Sequence, residues 1–236
     1  MEQRSVAVTF TGGAMACLGY TLLCFVLALF IVPTAWGVAA VFGWWCASLR
    51  FEDDTRAEFT GAAGRVWPLF AVAVFLSVLP GLAASVAEHS HHPSASLYQA
   101  AVQLALLPLA VLVNLHIFRW IFGGIRLEPG GTMTFSGRYL PYLGWTLLCV
   151  LSVFTIIGWA WAYVGLARWF CRNLEGGDGY GVEFAGTGWS LLWHSVLWLI
   201  GIVLILPIPW TLRYMFVWWT ENLRIIRRDP TPAAFD

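Results

Sequence analysis

Long apolar blocks alternate with short polar connectors along the chain, and the blocks come in pairs. Residues 14–32 and 35–49 form one pair, and 188–206 with 209–223 form another. A Pro or Gly splits the paired blocks, at Pro33, Gly158 and Pro207, where a helix is expected to stop. At 1.5 Å per residue the first block reaches roughly 28 Å and the second about 23 Å. Such helices come to or near the thickness of a hydrocarbon core.

The connectors follow a different period. "LRFEDDTRAEFTG", "IRLEPGGTMTFSG" and "NLEGGDGYGVEFAG" each hold a short alternating run, a turn-rich centre and a second alternating run ending in Phe-x-Gly. Alternation on either side of turn residues predicts β-hairpins. The opening "VAVTFTG" and the closing "NLRIIRR" are expected to pair with each other as a fourth.

The pattern is repeated. Residues 9–61 align with 134–186 without a gap and share 19 identities in 53 positions, which marks a duplication. Within each half a weaker repeat starts at Phe-x-Gly: Phe10/Gly12, Phe59/Gly61, Phe135/Gly137 and Phe184/Gly186. Trp36, Trp161 and Trp210 stand at one common offset, and Trp44, Trp169 and Trp218 at another. The second unit reaches its final Trp, Trp120, only after 27 extra residues, which include "EHSHHPSAS". The expected organisation is one membrane domain over 1–236, with halves 1–125 and 126–236 and quarter units starting near Phe10, Phe59, Phe135 and Phe184.

Composition places the chain in a bilayer. It is 59% hydrophobic and 11% charged, against about 25% charged in soluble domains. Fifteen Trp suit a lipid interface. The net charge is zero, so nucleic acid is not an implied partner; the lipid bilayer is. All 13 basic residues are Arg. The five Cys lie in or beside apolar runs without Cys-x-x-Cys spacing and read as small apolar fillers. The first apolar run is too long for a signal peptide, and its copy at 138–158 is internal, so it is read as retained.

If each unit is a hairpin, Arg4, Arg50, Arg56, Arg65, Arg126, Arg138, Arg172, Arg224, Arg227 and Arg228 gather on one side. That is the asymmetry of the positive-inside rule. The expectation is an all-α integral membrane protein: about eight transmembrane helices as four hairpin repeats about a pseudo-fourfold axis, with short cytoplasmic β-hairpins. It would sit as a multi-pass protein in a bacterial cytoplasmic membrane, N and C termini cytoplasmic. Short re-entrant pairs are the alternative to full crossings.

Residues 134–188 carry Phe135-x-Gly137, an aromatic at Tyr139 or Tyr142, and a Thr155/Gly158/Trp161 turn. Arg168 then precedes Asn173, a Gly-rich turn, Phe184 and Gly188. This stretch resembles the YjgN-like bacterial inner-membrane proteins, a domain of unknown function. The resemblance implies a polytopic inner-membrane protein and brings no catalytic residue.

Ionisable groups inside a membrane are costly and so are candidates for function. Arg213 lies a few residues past Pro209, where the other units have Ala39 and Val164; it either faces a cavity or snorkels to the outer interface. His194 matches Tyr20 and Trp145 and reads as a packing ring or a proton relay. Asn114 and His116 could bond across helices, and a path through all four is conceivable. Glu88, His89, His91 and His92 form a loop cluster that could bind a divalent metal such as Zn or Ni or be a flexible polar external loop, since its spacing lacks the regularity of a structural site. Glu58 and Glu183, at one repeat position, are expected to pair with nearby arginines. No cofactor or metal is implied. No phosphate loop, nucleophile elbow or zinc motif is present, so the chain leans away from an enzyme.

Three functions stay open. Transport or conduction of a small solute predicts an axial cavity lined by Arg213, His194 or Asn114. A structural, assembly or lipid-organising role predicts a closed axis packed with aromatics. A membrane enzyme acting on lipid needs a polar cleft at one interface. A homo-oligomer is compatible with each.

Overall fold

The alternating run Val6-Ala7-Val8-Thr9-Phe10 becomes strand β1 (Arg4–Phe10), with Val6, Val8 and Phe10 buried and Ala7 and Thr9 exposed. The computed structural model describes residues 4–53, 55–89, 95–129, 131–155 and 157–227. From β1 the chain enters α1 (Ala14–Leu29), α2 (Thr34–Ala47) and β2 (Leu49–Phe51). The next stretch gives β3 (Arg56–Phe59), α3 (Trp67–His89), α4 (Ala95–Gly123) and β4 (Ile125–Glu128). Then come β5 (Gly131–Phe135), α5 (Tyr139–Ser152), α6 (Trp159–Arg172) and β6 (Leu174–Gly176). The last stretch is β7 (Tyr180–Phe184), α7 (Gly188–Val203), α8 (Ile208–Glu221) and β8 (Leu223–Arg227).

The eight strands form one antiparallel sheet in the order β2-β1-β8-β7-β6-β5-β4-β3. Strand β1 pairs with β8, Ala7 opposite Arg224 and Val6 opposite Ile225. Strands β4–β5 and β6–β7 are hairpins. The edge strands β2 and β3 approach each other without a ladder between them, so the sheet curls almost into a barrel. Above it the helices form a closed ring of neighbours: each hairpin packs on itself, and α2 meets α3, α4 meets α5, α6 meets α7 and α8 meets α1.

The expected all-α bundle of about eight transmembrane helices is not what forms. The connectors and both chain ends are joined in one eight-stranded sheet rather than separate small hairpins. Among the described residues, α3 (23 residues) and α4 (29 residues) are the two helices long and apolar enough to cross a membrane. The other six have 14 or 16 residues, about 21–24 Å against a core of ~30 Å. The physical reason lies at both ends of each block. Leu49, Leu174 and Leu223, the ends of the apolar runs, enter strands. At the other end α1 stops at Leu29 and α7 at Val203, ahead of Pro33 and Pro207.

The tips of these hairpins are unusual. Ile31 and Ile205 have φ of 61° and 59°, and each lies 21 residues past the Phe of its unit. A β-branched residue is a steric outlier in the left-handed region. Both side chains are exposed, and so are Leu29, Phe30, Val32, Leu204 and Leu206 around them.

Candidate functional site

Each Phe-x-Gly motif is a small aromatic joint between strand and helix. The Phe ring folds over the Gly two residues on, so that a Cβ at Gly12, Gly61, Gly137 or Gly186 would strike Phe10, Phe59, Phe135 or Phe184. The same ring meets a Trp near the foot of its own second helix, edge to face. The pairs are Phe10–Trp44 at 5.6 Å, Phe59–Trp120 at 5.5 Å, Phe135–Trp169 at 5.8 Å and Phe184–Trp218 at 5.9 Å. Edge-to-face geometry sets the positive ring edge against the negative ring face. The other repeated tryptophans, Trp36, Trp161 and Trp210, are exposed near the hairpin tips; Trp161 also packs on Trp189 of α7.

Where the sheet meets the helices, the axis holds a cavity of about 240 Å³. All eight strands line it: Val8, Leu49, Ala57, Leu127, Met133, Leu174, Val182 and Ile225. One ring comes from the foot of each second helix: Trp45, Phe122, Phe170 and Trp219. Among the described residues no charged side chain, hydroxyl or side-chain amide faces it. None of the four candidate polar residues lines it.

Arg213 neither opens onto the axis nor turns to the hairpin tip. Its Nε donates to the carbonyl of Gly12, in the Phe-x-Gly of the first unit, at 2.9 Å. Two further arginines, neither of them among the candidate site residues, do the same for the unit that follows them. Arg119 donates to Gly137 O at 3.1 Å and Arg168 to Gly186 O at 2.9 Å. The three clasps link the second unit to the third, the third to the fourth and the fourth to the first. Where α2 would supply one to Gly61, the chain has Gly43 and Ala39 instead.

His194, half-buried on α7, stacks on Tyr214 with ring centroids 5.2 Å apart. Its Nδ1 donates to Ser190 O at 2.6 Å; Ser190 Oγ in turn accepts from Trp218 Nε1 at 2.9 Å. His116 is exposed on α4, its Nδ1 donating to Leu112 O at 2.8 Å. No hydrogen bond joins any two of Arg213, His194, Asn114 and His116 among the described residues. The path imagined through them is not assembled.

Asn114 instead lines a cleft of about 920 Å³ between α3, α4 and α5, with Ser77, Ser85, Gln99, Gln103 and Thr146. The sequence signal was available in part, since Gln99 and Gln103 sit one turn apart on the same apolar block. Thr146, from another unit, was not predictable as their neighbour. Glu58 stands opposite Arg126, and Glu183 opposite Arg224, across their ladders. The ion pair within 4 Å among the described residues is Arg126–Glu128 at 3.9 Å, with both partners about half exposed. Of the candidate metal cluster, Glu88 and His89 end α3, while His91 and His92 lie outside the described residues. Among the described residues no group of three or more His, Cys, Asp or Glu is placed to hold a metal ion. No protein-family model, no curated protein and no solved structure matches this chain.

Proposed function

We propose that the protein is a lipid-organising component of a bacterial cytoplasmic membrane. In this reading α3–α4 crosses the bilayer, and the three shorter hairpins dip into it from the side of the sheet. The observation that carries it is the isoleucine at two hairpin tips. A left-handed position in water favours Gly or Asn. Here it holds Ile31 and Ile205, both exposed. Backbone strain and apolar exposure are both unfavourable in water. A hydrocarbon solvent removes the second cost and gives the side chain a reason to be there. The two long helices agree: 17% and 22% of their apolar windows are buried in protein, whereas the core helix of a soluble domain would be mostly covered.

Short hairpins beside a long one give the organising role a mechanism. Helices of ~21–24 Å in a core of ~30 Å leave a mismatch, which a bilayer accommodates by local thinning. The protein would thin lipid around three hairpins and anchor itself by the fourth. Arginines on the strands, such as Arg50, Arg56, Arg126 and Arg224, support a cytoplasmic side for the sheet by the positive-inside rule. The four strand–helix–helix–strand units are read as products of duplication, and the placement accords with what the YjgN resemblance implies. Conduction along the axis has no polar path to use, since the axial cavity is wholly apolar.

The test is reconstitution into dimyristoyl-, dioleoyl- and dierucoyl-phosphatidylcholine vesicles, with lipid chain order read by deuterium magnetic resonance. The expected result is tight insertion in all three, with chain order disturbed most in the thickest bilayer. A protein that stays in the aqueous phase, or leaves chain order unchanged at every thickness, refutes the proposal.

A further inference from the structure

The long hairpin carries polar groups where a membrane-crossing pair is best without them. Ser77, Gly81 and Ser85 follow one another at intervals of four on α3. Gln99, Gln103, Ala110 and Asn114 fall on one stripe of α4, since residues three, four or seven apart share a helix face. With Thr146 of α5 these stripes line the 920 Å³ cleft. That volume is in the range of small-molecule sites, ~300–1,000 Å³.

Its hydrogen-bonding capacity is specific. The hydroxyls of Ser77, Ser85 and Thr146 donate to Val74 O, Gly81 O and Tyr142 O at 2.7, 3.1 and 2.9 Å, and their oxygens remain acceptors. The amides of Gln99, Gln103 and Asn114 make no hydrogen bond to another described residue. Each offers two N–H donors and a carbonyl. Among the described residues no charged side chain lines the cleft, so a phosphate or carboxylate would enter without a counter-charge, at high cost in low dielectric. A hydroxyl and ester carbonyls match the lining. The rim is aliphatic and exposed, with Val78 and Leu82 on α3 and Val150 on α5, which suits acyl chains better than a free polyol.

We propose that this cleft binds an uncharged lipid through its hydroxyl and ester groups, with the chains lying along the aliphatic rim. The proposal rests on the reading that α3–α4 lies in the bilayer. The full chain in dodecylmaltoside micelles is titrated with dioleoylglycerol, with dioleoylphosphatidylglycerol and with glycerol, and Tm is followed. Dioleoylglycerol should raise Tm saturably, and the other two should not. Gln103→Leu with Asn114→Leu should weaken the apparent affinity at least tenfold, and Thr146→Val should weaken it less. All three positions lie outside the core clusters, so folding is preserved and is checked by circular dichroism. A photoreactive diacylglycerol should label α3, α4 or α5. No saturable shift, an equal shift with glycerol or the anionic lipid, an unchanged double variant, or labelling confined elsewhere overturns the site. Flotation with phosphatidylcholine vesicles free of diacylglycerol tests the bilayer reading by itself. A chain that floats without binding overturns the lipid site alone. One that binds without floating overturns the bilayer reading alone.

Discussion

Replacing Ile31 and Ile205 by Gly separates strain from lipid contact. The left-handed conformation costs a non-glycine residue about 1–2 kcal/mol. Glycine adopts it freely but makes the unfolded chain looser, which takes back about 0.4–1 kcal/mol. The net gain is therefore about 0.5–1 kcal/mol per site. The side chains are 45% and 73% exposed, so removing them leaves little cavity in the protein. In micelles the tips face detergent in the folded and unfolded chain alike. The double variant should thus unfold about 1–2 kcal/mol later, measured by denaturant titration of tryptophan fluorescence. In a bilayer the sign reverses for the tip. An apolar side chain moved from water to hydrocarbon is worth about 1.5–3 kcal/mol, roughly tenfold or more per site. A nitroxide at Leu206→Cys, with the native cysteines replaced, should sit measurably shallower when Ile205 is Gly. If the double variant is less stable in micelles, or the nitroxide depth does not change, the isoleucines pack on protein and the lipid argument falls.

Three further outcomes follow from the joints and clasps. Gly137→Ala puts a methyl against the rings of Phe135 and Trp169 and should cost about 1–3 kcal/mol of unfolding free energy; a neutral result would mean the Phe-x-Gly joint is not tightly packed. Arg168→Leu removes the bond to Gly186 O and should cost about 1.5–3 kcal/mol, with Arg213→Leu similar and Arg172→Leu, at a side chain that is exposed and clasps no carbonyl among the described residues, close to neutral. Cys17 and Cys46, 0% and 1% exposed, should resist maleimide in the folded protein and react on denaturation; prompt labelling would contradict the packing of α1 and α2.

What the sequence revealed was local. Val6, Val8 and Phe10 alternate with polar or small residues, so β1 was legible, and the mirror pattern in Leu223–Arg227 named its partner. The joining of the strands into one sheet was not, because the β1–β2, β3–β4, β5–β6 and β7–β8 ladders each bridge a whole helical hairpin, while the hairpin expected of β2 and β3 forms no ladder. Hydropathy also overstated helix length. The runs stay apolar up to Val32 and Leu206, and nothing in their composition marks the backbone reversal at Ile31 and Ile205. The role of Arg213 is hidden in the sequence for a different reason. Aligned by position it has only Ala39 and Val164 as counterparts, but Arg168 lies one helical turn further along the same face of its own helix. A long side chain covers that offset, so equivalence of role was hidden by a shift in register.

The pairing of β1 with β8 closes a circle: first and last strands are neighbours, while β2 and β3, consecutive along the backbone, share no ladder. The seam could therefore be moved. A circular permutant that bridges Arg227 to Arg4 and opens between Phe51 and Arg56 would keep every strand ladder and every arginine clasp. The order in which a ribosome emits the four quarters is, on this geometry, a matter of history rather than of architecture.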